Sequence, residues 1–281
     1  MIPSQKGNAK QMSELDDALR DLVIANRILG HEGICDAYGH ISVRSPRDPR
    51  RYFISVSRSP ELVTLDDIVE CTLDGRPVKD EKRALYIERH IHGGIYEARS
   101  EVMSVIHSHA LDVLPFSISP TPLRPVIHSA GPLGHRIPVW DIADRFGDTN
   151  LLVSNIAQGR DLAERLANDR AVLMRGHGFA AAGRSIPEVV RLAVNMPRNA
   201  RVLLDAIRLG GPVKGLQPGE IDNRLEMRPD GPEFYRAWEY WATRAGCADM
   251  LGGAPRPASA LSARPAAPKP AAKKAAKKGR R

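Results

Sequence analysis

The sequence predicts an α/β fold, a mixed sheet covered by helices. Three observations carry this reading: short apolar runs of strand length, longer segments with apolar residues three and four apart, and an irregular alternation of the two. The chain has 281 residues and 42% hydrophobic content, enough to build a well-buried core.

The elements follow in order. Ser13 with Asp16 three residues on is a capping-box-like start. Leu19, Leu22, Val23, Ala25, Ile28 and Leu29 continue at helical spacing until Gly30 and Gly33. Strand-like runs are Gly39–Arg44, Tyr52–Val56 and Ile68–Thr72, separated by loops rich in Pro, Arg and Asp. Residues 85–98 read as a helix whose buried stripe is Leu85, Ile87, Ile91 and Ile95. A strand at 102–109, a short helix near 111–117, a Pro-rich loop and a strand at Ile137–Trp140 come next. Residues 160–168 read as helix and 171–174 as strand. A long helix begins at Ser185, capped by Glu188, and reaches about Leu209, with a kink or break expected at Pro197. Phe234, Trp238 and Trp241 mark an amphipathic segment at 232–245.

This gives three parts: a flexible N-terminus at 1–12, a folded domain at 13–250, and a disordered Ala/Pro/Lys-rich tail at 251–281. The net charge is +8, but nine basic and no acidic residues lie from Ala254 onward, which leaves the body near −1. The body therefore has no basic excess to support specific nucleic-acid binding, and only the tail is suited to weak contacts with polyanions. No run reaches the roughly 18 apolar residues of a membrane helix. The first ten residues lack a signal-peptide core, and Cys35, Cys71 and Cys247 form no CxxC pair, as expected of a reducing cytoplasm.

The chemistry concentrates in a few residues. His107 and His109 close an apolar-alternating run, and residues i and i+2 of a strand share a face. Their imidazoles leave one strand end together, at the spacing of two ligands of one ion. A third imidazole, His177, sits between Gly176 and Gly178 just after Ala171–Met174, where the backbone must come close to something. Three histidines that leave coordination positions open suit a catalytic rather than a structural metal site. Glu88 borders the apolar face of the 85–98 helix, where a carboxylate near a metal can act as acid or base.

The pattern Glu88…His107-x-His109…His177, with Gly39-His40-Ile41-Ser42 upstream, resembles the class II aldolase/adducin family over about residues 15–245. The resemblance implies a three-layer α/β/α sandwich with a mixed central sheet, assembled as a homotetramer with the site near a subunit interface. It implies one divalent ion per subunit (Zn, Mn or Co), held by His107, His109 and His177, with Glu88 as the acid/base residue.

Departures from the sugar-phosphate members point elsewhere. His40 stands at the family's asparagine, Ser57-Arg58-Ser59-Pro60 at its Thr/Ser-rich loop, Tyr86-Ile87 at its serine pair, and Ser129 near its tyrosine proton donor. Phosphate-cradling hydroxyls are partly gone. Arg58 suits a planar carboxylate, and His128 is a candidate for the missing proton donor. The motifs Ala37–Arg44, Ser57–Glu61 and Leu123–Val126 look most like the decarboxylase branch. Its members act on hydroxyaromatic, pyridine or ring-cleavage dicarboxylates, cleaving a C–C bond through a metal-stabilised enolate. The expected substrate contacts are His40, Ser57, Arg58 and Ser59. Two alternatives stay open: an aldolase acting on a small non-phosphorylated hydroxy-carbonyl compound, and a non-catalytic adducin-like interaction module.

Overall fold

The computed structural model describes residues 5–226 and 232–252. Its seven strands are β1 (His40–Arg44), β2 (Arg51–Ser55), β3 (Ile68–Thr72), β4 (Ser104–Ser108), β5 (Val139–Trp140), β6 (Ala171–Met174) and β7 (Gly178–Gly183). They form one sheet in the order β3-β2-β1-β4-β7-β6-β5. Every pairing is antiparallel except β5 with β6, so the sheet is mixed.

The helices are α1 (Gln5–His31), α2 (Arg89–Ala98), α3 (Leu114–Ser117), α4 (Ala143–Phe146), α5 (Ile156–Leu166), α6 (Ile186–Arg208), α7 (Pro218–Leu225) and α8 (Pro232–Arg244). Strand alternation sends Ile41, Val43, Ile106, Phe179 and Ala181 to one face, into a core shared with α1, α6 and α8. Val105, Ala180, Ala182 and Val172 go to the other face, under α2 and α5. The result is the expected three-layer α/β/α sandwich.

Helix α2 lies unusually close to α5. A Cβ on Gly94 would fall 2.3 Å from the Gly159 carbonyl carbon, and one on Gly159 would fall 2.1 Å from the His90 oxygen. Glycine at both positions lets the backbones touch, and this fixes the depth at which α2 rests on the sheet.

Several boundaries differ from the sequence reading. Helix α1 begins at Gln5, not at Ser13. Helix α2 begins at Arg89, so Glu88 is its N-cap residue rather than an interior one. Leu85 instead bridges to Val56, and Ile87 is exposed. Helix α6 runs unbroken through Pro197, which is buried, and Ser185 caps it by accepting from the Glu188 amide. Strand β7, sequence Gly-Phe-Ala-Ala-Ala-Gly, went unpredicted because alanine is a poor strand former; here its small side chains pack on both faces of a covered central strand. All three cysteines are buried and free. No helix among the described residues is long and apolar enough to cross a membrane. The basic tail lies outside the described residues.

Candidate active site

The strand pairing places the three histidines. His107, near the end of β4, is directly opposite His40 of β1 and Ala180 of β7, and residues so paired project to the same face. His109 follows one residue beyond β4. His177 occupies the β6–β7 turn, where Gly176 takes φ +64° and a Cβ on Gly178 would lie 2.1 Å from the Ser108 carbonyl oxygen. The two glycines therefore have separate reasons: one makes the turn, and the other lets it press against the end of β4.

The three imidazoles converge. His109 Nε2 lies 2.8 Å from His107 Nε2 and 3.0 Å from His177 Nε2. Glu88 Oε2 lies 3.3, 3.8 and 3.4 Å from the Nε2 atoms of His107, His109 and His177. All four donor atoms lie within 4.8 Å of one another.

The surrounding backbone sets how they point. His107 Nδ1 donates to the Phe179 carbonyl and His177 Nδ1 to the Leu151 carbonyl, each at 3.0 Å. With the proton held at Nδ1, each Nε2 is left with a bare lone pair. The three Nε2 atoms converge on one point, the arrangement of nitrogen ligands around a single cation. Two ligands of a tetrahedral ion at about 2.1 Å stand about 3.4 Å apart, so an ion needs the cluster to open by only a few tenths of an ångström. The donor set thus fits a divalent ion bound by three nitrogens, with room for substrate.

Glu88 is buried, and its Oε1 accepts from the Val153 amide at 3.0 Å. Burial pushes its carboxyl up, but the three imidazoles around Oε2, His107 first, more than offset this and hold it well below the usual carboxylate range. Burial also pushes the His107 imidazole down, with Glu88 opposing. The site thus places a buried carboxylate against the His107 ring, a pairing of hard oxygen and imidazole nitrogen donors that suits a divalent ion.

His40 is buried beside the cluster, its ring 5.2 Å from that of His107 and 4.5 Å from that of Tyr86. Burial, then the neighbouring His92, push it well below its ordinary value. His92 is pushed down to about 3, by burial first and then by His107. His109, Leu111, Leu114, Asn150, Leu151, Leu152 and His177 line a cavity of about 220 Å³ at the mouth of the site.

The other expected contacts are placed differently. Arg58 Nη1 lies 3.2 Å from both Asp67 carboxylate oxygens, so its guanidinium is already engaged. Its carbonyl accepts from the Tyr86 hydroxyl, which ties the loop to the ring beside His40. Ser57 is exposed, and Ser59 Oγ donates to the Asp36 carbonyl at 3.2 Å. His128 is exposed at the start of the turn His128–Leu133 and is not one of the four clustered residues.

Sequence reading noted Tyr86 only as a departure from the family's serine pair, and it missed His92, Tyr96 and the backbone of 151–153. The spacing Glu88-x3-His92-x3-Tyr96 is a helix-face signal that covers two of these side chains.

Residues 20–204 match the family described as Class II Aldolase and Adducin N-terminal domain. The decarboxylase tropJ of Talaromyces stipitatus is 36% identical over 246 residues, covering 79% of this chain and 92% of that protein. A 3,4-dihydroxyphthalate decarboxylase of Arthrobacter keyseri is 24% identical over 243 residues, covering 81% and 93%. Among solved structures, L-fuculose 1-phosphate aldolase from Glaciozyma antarctica superposes with a TM-score of 0.64 at 21% identity, covering 87% of this chain and 90% of that one. The chain belongs to the class II aldolase and adducin family. Its relatives include named decarboxylases and aldolases, and the protein is a carbon–carbon lyase with a cluster of side chains that could hold a metal ion.

Proposed function

We propose that this protein is a divalent-metal-dependent decarboxylase acting on hydroxy- or oxo-substituted aromatic-type dicarboxylates. The observation that carries this reading is the convergence of three Nε2 atoms and one carboxylate beside a buried imidazole, His40. The relatives named as decarboxylases support it.

In this reading His107, His109 and His177 hold the ion. A divalent ion there supplies a Lewis acid that withdraws electron density from a substrate oxygen and so eases C–C cleavage. Glu88, a carboxylate anchored at Oε1 by the Val153 amide, takes the proton of the substrate hydroxyl on Oε2. The C–CO2 bond breaks, its electron pair stays on the ring carbon, and Glu88 returns the proton there. His40 meets a carboxylate oxygen of the substrate. Arg58 pairs with Asp67 through Nη1, whereas His40 is buried directly beside His107, which makes His40 the better-placed contact. We assign the acid/base role to Glu88 alone, because His128 stands outside the cluster. Residues 13–250 carry catalysis, in a cytoplasmic homotetramer, and Ser57 and Ser59 belong to the loop at the margin of the site.

The test is CO2 release from a panel of ortho-hydroxy dicarboxylates headed by 3,4-dihydroxyphthalate. Chelation should abolish release, and Mn²⁺, Co²⁺ or Zn²⁺ should restore it. Release indifferent to chelation overturns the reading, and an aldehyde product without CO2 selects aldol cleavage instead.

A further inference from the structure

Behind the metal cluster runs a buried chain of polar side chains. His40 Nδ1 lies 2.6 Å from His92 Nε2, His92 Nδ1 lies 2.6 Å from Ser42 Oγ, and Ser42 Oγ lies 2.8 Å from the Tyr96 hydroxyl. All four residues are 3% exposed or less. The chain arises where two periodicities mesh. Strand β1 presents His40, Ser42 and Arg44 at every second position, while α2 presents Glu88, His92 and Tyr96 at every fourth. At the far end Arg44 lies over the Tyr96 ring, 4.7 Å from its centre, and donates to the carbonyls of Pro49, Tyr96, Arg99 and Val102.

Packing alone does not call for such a chain. The same helix and sheet elsewhere meet through Ile91, Ile95 and Val105. A buried polar group left unpaired costs about 1–3 kcal/mol, so every member of the chain depends on its neighbours. A neutral imidazole has one N–H, so the proton position on one ring dictates that on the next. Both nitrogens of His92 and Nδ1 of His40 are engaged. Among the described residues, His40 Nε2 makes no hydrogen bond, and it belongs to the ring directly beside His107.

We propose that His92, backed by Ser42 and Tyr96, is a positioning residue: it locks the rotamer and tautomer of His40, so that Nε2 is preset to bind the carboxylate of an ortho-hydroxy acid beside the metal. This rests on the metal-dependent reading above. The consequence is specificity for a carboxylate next to the chelating hydroxyl.

The test uses full-length, zinc-loaded protein labelled with 15N-histidine, with salicylate as the probe. In the wild type, the imidazole nitrogen shifts of His40 should report a single tautomer. In His92→Phe they should report an average, and salicylate should bind about tenfold more weakly at unchanged zinc content. That penalty should vanish in a His40→Ala background. Tyr96→Phe removes only the terminal hydroxyl, should act in the same direction more weakly, and serves if His92→Phe does not fold. A fixed His40 tautomer in the variants, or an equal salicylate penalty with and without His40, overturns the proposal. Failure of the wild type to bind zinc, manganese or cobalt overturns instead the metal-dependent reading on which it rests.

Discussion

On the α1/α6 face of the sheet, β1 and β4 contribute Ile41, Val43 and Ile106 to an apolar core; on the α2/α5 face the same strands contribute His40, Ser42, Arg44 and His107. Both faces are buried, but by different means. Apolar burial is non-directional and tolerates small shifts of a helix. Polar burial demands a partner for each group at hydrogen-bond distance, so it fixes α2 against β1 to within a few tenths of an ångström. Because strand alternation divides these duties between adjacent residues, stability and chemistry should separate one position at a time.

The sharpest break of that comparison uses the neighbours His107 and Ile106. His107→Ala removes a metal ligand and should lower kcat/KM by at least about a thousandfold with loss of bound metal, read by elemental analysis, while the protein stays folded. Ile106→Ala should do the reverse, costing about 2–5 kcal/mol in denaturant unfolding with kcat per folded molecule unchanged. Equal losses of stability in the two variants would show that the faces are not separable.

Glu88→Gln comes next. The amide oxygen can keep the Val153 contact, so fold and metal content should persist, but no carboxylate remains to take up a proton. We expect kcat to fall by about a hundredfold to a thousandfold. Pre-steady-state CO2 release is the measurement, and near-wild-type turnover would move the proton role to another group.

Much of this site is legible in the sequence because its signals are local. The His-x-His spacing at a strand end and the Gly-His-Gly turn depend only on period and backbone, and they single out His107, His109 and His177 as candidates for one ion. What is lost depends on packing between distant segments. The position of Glu88 at an N-cap arises because the chain at 85 bridges to Val56, which helical periodicity cannot show. The His40–His92 contact joins residues 52 apart in sequence, and the carbonyl that orients His177 belongs to Leu151. Side-chain chemistry alone marks Arg58 as a carboxylate ligand. Its engagement with Asp67, nine residues on, lies within reach of the sequence but is indistinguishable there from any other loop pairing. Strand β7 escapes notice because its alanines reflect the helices above and below it, not a local preference.

Gly94→Ala tests how far the α2/α5 face depends on exact placement. The added Cβ would meet the Gly159 carbonyl, and neither helix can yield without the other. The expected cost is about 1–3 kcal/mol of stability. Since α2 carries His92 and follows directly on Glu88, turnover per folded molecule should also drop, which Ile106→Ala should not produce. A stability loss with unchanged turnover would mean that the site tolerates movement of its helix.

The smallest expected effect comes from Leu151, whose carbonyl orients His177 and whose φ is +65°. A leucine held in the left-handed region carries about 1–2 kcal/mol of strain, which glycine does not. Leu151→Gly relieves that strain but gives up the half-buried side chain, a term of similar size and opposite sign, and frees the unfolded chain. The net change in stability should therefore stay within about 1 kcal/mol, and zinc affinity should hold, because the carbonyl that receives His177 Nδ1 belongs to the backbone. A loss of metal affinity at unchanged stability would mean that the leucine side chain, rather than the strained backbone, keeps that carbonyl in place.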